Sequence, residues 1–596
     1  VTVNGIYFVN GHRGIQKALK TISNRPFSYL VLKHYLFEDE AKSLSLAGGN
    51  PIPAQDIFRK VNRDFGEDVV EWMGDLNNSR ESPFWNRLNL AGKRVHATRF
   101  CEHVFYVTCL NRVLEDFSED IVVVVDDPVI IRQTRNNWKH RPVHDWTRKG
   151  SLLYRFFMDV LPGKMVHRFC VALGRKCISG PIPLSKERKR LVVVKTVVSK
   201  GSFDRHGDYH DPYFGDLLNY FEEIGRNVVV IGNVIDSYRK FLRGARRAAS
   251  VTVCSVEQWL GFGDLIVCFV QTLGVLSQKI FSPRGTYLFR GISMKQVVRA
   301  CVMEEVRSDQ YFLSVMNERA TKKLVERWDV ERFILPFENR GFERSDMRAI
   351  RAHSKKTRII GYQHATITRT HTEYFRSRND HMSLPDVVIS SGEITAKILT
   401  DLGLFPKEIV KTGCALRQRG PYILNFHERS GPLRFLVILT ASRDYYHRVI
   451  AVINSVYQKG MDCSFRLCPH PMIPLDKELR SKIQFPLVED ASWDQERMID
   501  WADVAIYSSS TLAIRCLQRG KPLFYFPVDD FLDADPLFEL ADGKWTICST
   551  ADFNRAMAEV RSLDEDQWRE RLSRAQAFVR RYFGPVSKSM MNLFIE

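Results

Sequence analysis

Runs of consecutive β-branched and apolar residues constrain this chain most. Ile121-Val-Val-Val-Val125, Leu191-Val-Val-Val194, Asn227-Val-Val-Val-Ile231 and Arg434-Phe-Leu-Val-Ile-Leu439 offer almost no polar face to solvent. A strand that is apolar on both sides must be covered on both sides, which is the condition of a parallel sheet flanked by helices. Shorter runs of the same kind are Tyr29-Leu-Val-Leu32, Phe333-Ile-Leu335, Arg358-Ile-Ile-Gly361, Val387-Val-Ile389, Ser464 to Leu467, Val504 to Tyr507 and Leu523 to Phe526. Amphipathic stretches such as Tyr446 to Gln458 and Arg497 to Trp501 fall between them, so the pattern predicts an α/β chain.

A chain of 596 residues is too long for one hydrophobic core. The Pro/Lys/Arg-rich piece Gly180 to Arg190 reads as a linker, and the strand pattern restarts near Arg332. The expected division is residues 1–180, an N-terminal region that joins the first of two units; 181–330, the Rossmann-like domain of that unit; and 331–596, a second Rossmann-like domain. Ala551 to Phe583 alternates charged and apolar residues at helical spacing and is expected to pack back as terminal helices.

Two motifs carry chemistry. Arg466-Leu-Cys-Pro-His-Pro471 ends one strand, with His470 held in direction by Pro471. Asp503-Val-Ala-Ile-Tyr-Ser-Ser-Ser-Thr511 is a strand that empties into the hydroxyls of Ser508, Ser509, Ser510 and Thr511 before a helical run, Leu512 to Leu517. A helix start presents unpaired N–H groups and positive potential, so hydroxyls there can hold a phosphate. Taken singly, a serine run is an N-cap and a His-Pro pair is a turn. Both lie at the ends of successive strands, where open α/β sheets bind ligands. Two α/β domains with a phosphate site on the second fit a nucleotide-sugar transferase of GT-B type, two Rossmann-like domains facing a cleft, with 181–330 expected as the acceptor domain, 1–180 on the same side, and 331–596 as the donor domain.

The net charge of +18 favours an anionic partner. No helix-turn-helix, zinc-finger or RNA-binding signature is present, so nucleic acid is not expected. No His/Cys/Glu cluster has metal-ligand spacing, and Asp126-Asp127 before Pro128 reads as a strand-end turn. Neither a P-loop nor a dinucleotide fingerprint occurs. The cysteines are scattered in apolar surroundings, as in a cytoplasmic protein with reduced thiols, and Val1 to Gly14 lacks the order of a secretory signal. Trp259 to Ile280 is the longest apolar run, interrupted by Asp264, Gln271 and Gln278. It reads as a buried or interfacial helix, with peripheral contact to an anionic membrane as a further expectation.

The His-Pro motif followed by Ser508-Ser-Ser-Thr511 resembles the site with which bacterial sialyltransferases and Kdo transferases of GT-B fold bind the phosphate of a CMP-sugar. Pro336-Phe-Glu-Asn-Arg-Gly-Phe-Glu-Arg344, Gly361-Tyr-Gln-His-Ala365, Ser390-Ser-Gly392, Thr412-Gly-Cys-Ala-Leu-Arg417 and Gly207-Asp-Tyr-His-Asp-Pro-Tyr-Phe-Gly-Asp216 resemble related bacterial surface-carbohydrate biosynthesis proteins. The resemblance spans roughly residues 190 to 530. It implies a cytoplasmic enzyme, either soluble or peripheral at the inner face of the inner membrane, that builds lipopolysaccharide, capsule or a related glycan. The donor would be a CMP-activated 2-keto sugar acid, of Kdo or sialic-acid type, and the acceptor a glycan or lipid-linked sugar. No cofactor or metal is implied. His470, Pro471, Ser508 to Thr511, Gly413 and Arg417 would hold the nucleotide.

A base must still take the proton of the acceptor hydroxyl. Glu338 and Glu343 after one strand, and His364 after the next, are the catalytic candidates; the alternative for the two glutamates is ion pairing with Arg340 and Arg344. The Asp/Glu-Asp/Glu-Gly motif of the sialyltransferases is replaced here by Glu489-Asp490-Ala491 or Phe337-Glu338-Asn339. Two other readings stay open: a CDP-glycerol or CDP-ribitol phosphotransferase, which the His364, His470 and Ser508-Ser509 pattern also resembles, and a non-catalytic polysaccharide assembly protein.

Overall fold

A computed structural model describes residues 4–23, 25–32, 37–94, 98–147, 163–180, 182, 190–204, 206–248, 251–277, 287–381, 383–417, 422–424, 431–440, 443–457, 461–470, 473–488, 494–527 and 532–596. Three parallel sheets lie among them. The first contains β1 (Ile6–Val9), β2 (Phe27–Val31), β3 (Asn50–Pro51), β4 (Asp120–Val124) and β5 (Val143–Trp146), in the order β3-β2-β4-β1-β5. Residues 1–180 therefore contain a sheet of their own. Asp127, just after β4, accepts the N–H groups of Val129 and Ile130 and caps the Pro128–Asn137 helix, as the reading of a strand-end turn expects.

The second sheet contains β6 (Leu191–Val198), β7 (Asn227–Val234), β8 (Thr252–Ser255), β11 (Val330–Pro336), β12 (Arg358–Tyr362), β13 (Val387–Ile389) and β14 (Val410–Lys411). A small antiparallel hairpin, β9 (Leu288–Phe289) and β10 (Ile292–Ser293), stands apart. The order β14-β13-β12-β11-β6-β7-β8 is doubly wound. The chain starts at β6, moves outward to β8, crosses through a group of helices and returns to pair β11 with the other side of β6. The boundary expected between residues 330 and 331 thus falls inside one sheet. The helical excursion before β11 breaks the strand pattern and imitates a domain junction, whereas pairing joins strands that are distant in sequence.

The third sheet contains β15 (Leu433–Ile438), β16 (Cys463–Cys468), β17 (Val504–Tyr507), β18 (Leu523–Tyr525) and β19 (Lys544–Thr546), in the order β16-β15-β17-β18-β19. The expected α/β fold with two Rossmann-like parallel sheets is thus present in the second and third sheets. Their switch points, where strand order reverses, lie between β6 and β11 and between β15 and β17.

The terminal helices pack back as expected. After the Glu565–Tyr582 helix, Gly584 crosses Gly392 and Gly413 so closely that a Cβ on it would lie 2.7 Å from the Gly413 carbonyl oxygen. The N–H of Gly584 donates to Ser391 O at 2.8 Å, and Met591 and Phe594 then complete the core of the second sheet. All twelve cysteines are free, nine of them buried. Gly180 to Arg190 falls almost wholly outside the described residues.

Candidate functional site

At the carboxyl end of β11 the chain turns sharply through Asn339, whose φ of 53° is left-handed, into the Gly341–His353 helix. Residues 86–94, from the module built on the first sheet (between β3 and β4), brace this turn. Asn339 Nδ2 donates to Gly92 O at 3.0 Å, and Gly341 N donates to Asn89 Oδ1 at 3.1 Å. The buried Arg344 guanidinium donates to the carbonyls of Asn86, Leu88 and Asn339. Lys93 and Asp380 form a buried ion pair at 2.5 Å beside it.

The two glutamates of this turn have different environments. Glu343 is 0% exposed and accepts the backbone N–H groups of Glu338 and Arg340 at 3.0 and 3.1 Å. Burial pushes its carboxyl up to about 7, although the Arg340 charge acts in the other direction. It is the acidic cap of the helix start. Glu338, 8% exposed, holds His364 instead: its Oε1 lies 3.0 Å from His364 Nε2. Its Oε2 receives Arg340 Nε at 2.6 Å and Arg94 Nη2 at 2.7 Å. Burial alone would raise this carboxyl, but the His364 hydrogen bond and the charges of Arg340 and Arg94 outweigh it and hold the group well below the ordinary range.

His364 packs edge-on against Tyr213, with ring centroids 4.5 Å apart, and Arg417 lies over the same phenol ring at 5.6 Å. Nδ1 of His364 has no hydrogen-bond partner among the described residues. The segments singled out in the sequence converge here. Tyr362 Oη donates to Cys414 O and accepts from Leu416 N, both at 2.9 Å, and a Cβ on Gly215 would lie 2.4 Å from Leu416 O. Gly413 stands against Ile389 and Ser390, where a Cβ would lie 2.4 Å from Ile389 Cγ2. Gly413 and Arg417 therefore belong to the second sheet, Gly413 in its packing and Arg417 beside Tyr213.

The third sheet carries the other constellation. Ser508 directly follows β17 and Thr440 follows β15 by two residues, one on each side of the switch point. Ser508 is 1% exposed, and neither its hydroxyl nor that of Thr440 has a partner among the described residues. Two orphaned buried hydroxyls thus flank one switch point, the place where open α/β sheets bind ligands. Ser509 and Ser510 are half-buried and Thr511 is exposed, with Ser510 Oγ accepting Leu512 N at 3.2 Å. His470 follows β16 on the neighbouring strand; its N–H donates to Tyr446 Oη at 2.7 Å, and that hydroxyl donates to Ile473 O at 2.7 Å. Pro471 and Glu489 to Ala491 lie outside the described residues.

A cavity of about 470 Å³ opens at the carboxyl ends of β6 and β7, walled by Phe203, Phe241, Lys240, Arg243 and Arg247. Among the described residues no group of His, Cys, Asp and Glu side chains could hold a metal ion. Sequence reading missed Arg94, Tyr213 and Thr440 as site residues. Thr440 had a usable signal, a hydroxyl just past an apolar strand, as for Ser508. Arg94 had none, because its partner lies in another sheet.

No family model matches the sequence, and no curated protein matches it. Among solved structures the chain is similar to the lipopolysaccharide outer core galactosyltransferase WaaB in its apo form, at 9% identity over 68% of this chain and 99% of that one, with a TM-score of 0.39. It is similar to the glycotransferase of kitacinnamycin at 13% identity over 69% and 98%, with a TM-score of 0.36. It is also similar to UDP-GlcNAc 2-epimerase from Neisseria meningitidis bound to UDP-GlcNAc, at 8% identity over 68% and 98%, with a TM-score of 0.34.

Proposed function

We propose that this protein is a glycosyltransferase of GT-B type that moves a 2-keto sugar acid from a CMP-activated donor to a hydroxyl of a glycan or lipid-linked acceptor, without a metal ion. The Glu338–His364 pair at the carboxyl ends of β11 and β12 carries this reading. A carboxylate bonded to one imidazole nitrogen fixes the tautomer and leaves the other nitrogen as a base. Nδ1 of His364 takes the acceptor proton as the acceptor oxygen attacks the anomeric carbon. The bond from that carbon to the donor phosphate breaks, and CMP departs with the electron pair. Glu338 stabilises the imidazolium that results. The hydroxyls of Ser508, Thr440, Ser509 and Ser510, with His470, receive the phosphate charge. Arg340 and Arg417, beside Tyr213, suit the carboxylate of the sugar, and the cationic wall of Lys240, Arg243 and Arg247 suits an anionic acceptor.

The same cations suit a phosphate that is itself transferred, which keeps a CDP-polyol phosphotransferase as the second reading. The deciding experiment incubates the protein with CMP-Kdo or CMP-sialic acid, and separately with CDP-glycerol, in the presence of bacterial lipid-linked glycans. The expected product contains sugar acid and no new phosphorus signal. Phosphorus in the product supports the second reading; thermal stabilisation by CMP with no turnover of any donor supports a binding protein.

A further inference from the structure

The Gly163–Ile178 and Phe262–Ser277 helices lie side by side, with Phe169 stacked on Phe269 at 4.2 Å. Phe262, Ile266, Val267, Val270 and Leu273 project outward from the second helix, and Val166 and Ile178 from the first. Half of the fourteen exposed large hydrophobic side chains of the described residues therefore sit on this one pair. Phe262, Ile266 and Val270 are 51%, 53% and 59% exposed and recur every four residues, so they form a continuous stripe along the helix. A contiguous apolar face of this kind marks an interaction surface, whereas single exposed leucines do not.

Charge at the border selects the partner. Asp264 is the one charged residue of the Phe262–Ser277 helix, and it is neutralised by Arg319 at 2.7 Å and by Lys323. Lys176 lies near Lys323, and Lys164 is exposed on the same helix as Val166. Three cations thus gather about the one carboxylate of that helix, and Lys164 adds a positive charge on the neighbouring helix, which leaves this face positive. Neither helix is long and apolar enough to cross a membrane. An apolar stripe of this length with a cationic rim matches the boundary between acyl chains and anionic headgroups.

We propose that this helix pair docks the protein onto an anionic bilayer surface, with the Phe262, Ile266 and Val270 side chains entering the headgroup boundary. The test is sedimentation of the full chain with vesicles of phosphatidylcholine and phosphatidylglycerol, compared with phosphatidylcholine alone. Binding is expected to the anionic vesicles, to weaken with added salt, and to fall about tenfold in the F262S/I266S/V270S variant. Lys164→Gln is expected to weaken anionic binding without changing thermal stability. Thermal melts of both variants separate lost docking from lost folding, and the salt dependence of the native chain keeps the proposal exposed should the triple variant unfold. Equal sedimentation of native and triple-variant protein overturns the proposal. So does a dimer in lipid-free solution that the triple substitution dissociates, because a second copy then covers the stripe.

Discussion

Arg94 Nη2 stands 2.7 Å from Glu338 Oε2, although Arg94 comes from the stretch that carries the first sheet and Glu338 follows β11 of the second. The first module therefore supplies a charge to the carboxylate that orients His364. Arg94→Met is expected to raise the Glu338 carboxyl toward its ordinary range and to move the acid limb of the turnover profile to higher pH, with partial rescue by Arg94→Lys. A depressed carboxyl adds stability above its unfolded value of about 4.3, lost as pH falls through the folded value, so the variant is expected to lose about 1–3 kcal/mol at neutral pH. Urea denaturation and a pH series of initial rates measure the two effects.

His364→Ala and Glu338→Gln are expected to lower donor turnover by about 10²–10⁴-fold while leaving nucleotide binding nearly intact. Released CMP measures the first and the CMP-induced melting shift the second. A parallel loss of both would place the pair in binding rather than in proton transfer.

Ser508→Ala and Thr440→Val remove hydroxyls that have no partner among the described residues. Both variants are expected to match or exceed the native chain in stability, because a buried orphan is deleted. Their affinity for CMP is expected to fall by about 1 kcal/mol, roughly fivefold. Lower stability with unchanged affinity would assign these hydroxyls to the core.

Glu343 and Glu305 are pushed up to about 7 and Asp346 to about 6, in each case by burial. Between the unfolded carboxyl value of about 4.3 and these folded values, the native state binds more protons than the unfolded chain, so stability falls as pH rises. The loss from these groups runs through about 7 and is complete roughly one pH unit above it. Glu343→Gln is expected to flatten that slope by close to one proton, read from denaturation midpoints between acid and neutral pH.

The strands were legible because their apolar runs are continuous, and the ends of those strands led directly to Glu338, His364, His470 and Ser508. Strand order was not legible: nothing local records that β11 pairs with β6, so the break before Arg332 resembled a domain junction. Nor does the segment distinguish Glu338 from Glu343. Both are acids five residues apart, but His364, Arg340 and Arg94 converge on the first while two backbone N–H groups occupy the second. That difference is made by partners drawn from three separate stretches of chain.

Met591 and Phe594 sit in the same core as Val192, Val194 and Val230. A ribosome translating this chain thus releases the whole of the second sheet, and then the whole of the third, before making the residues that seal the earlier one. The second module must wait, partly open, for the completion of its neighbour. Native assembly is consequently a late event in biosynthesis, and nascent chains stopped before residue 591 are expected to engage holdase chaperones and to be cut readily by proteases.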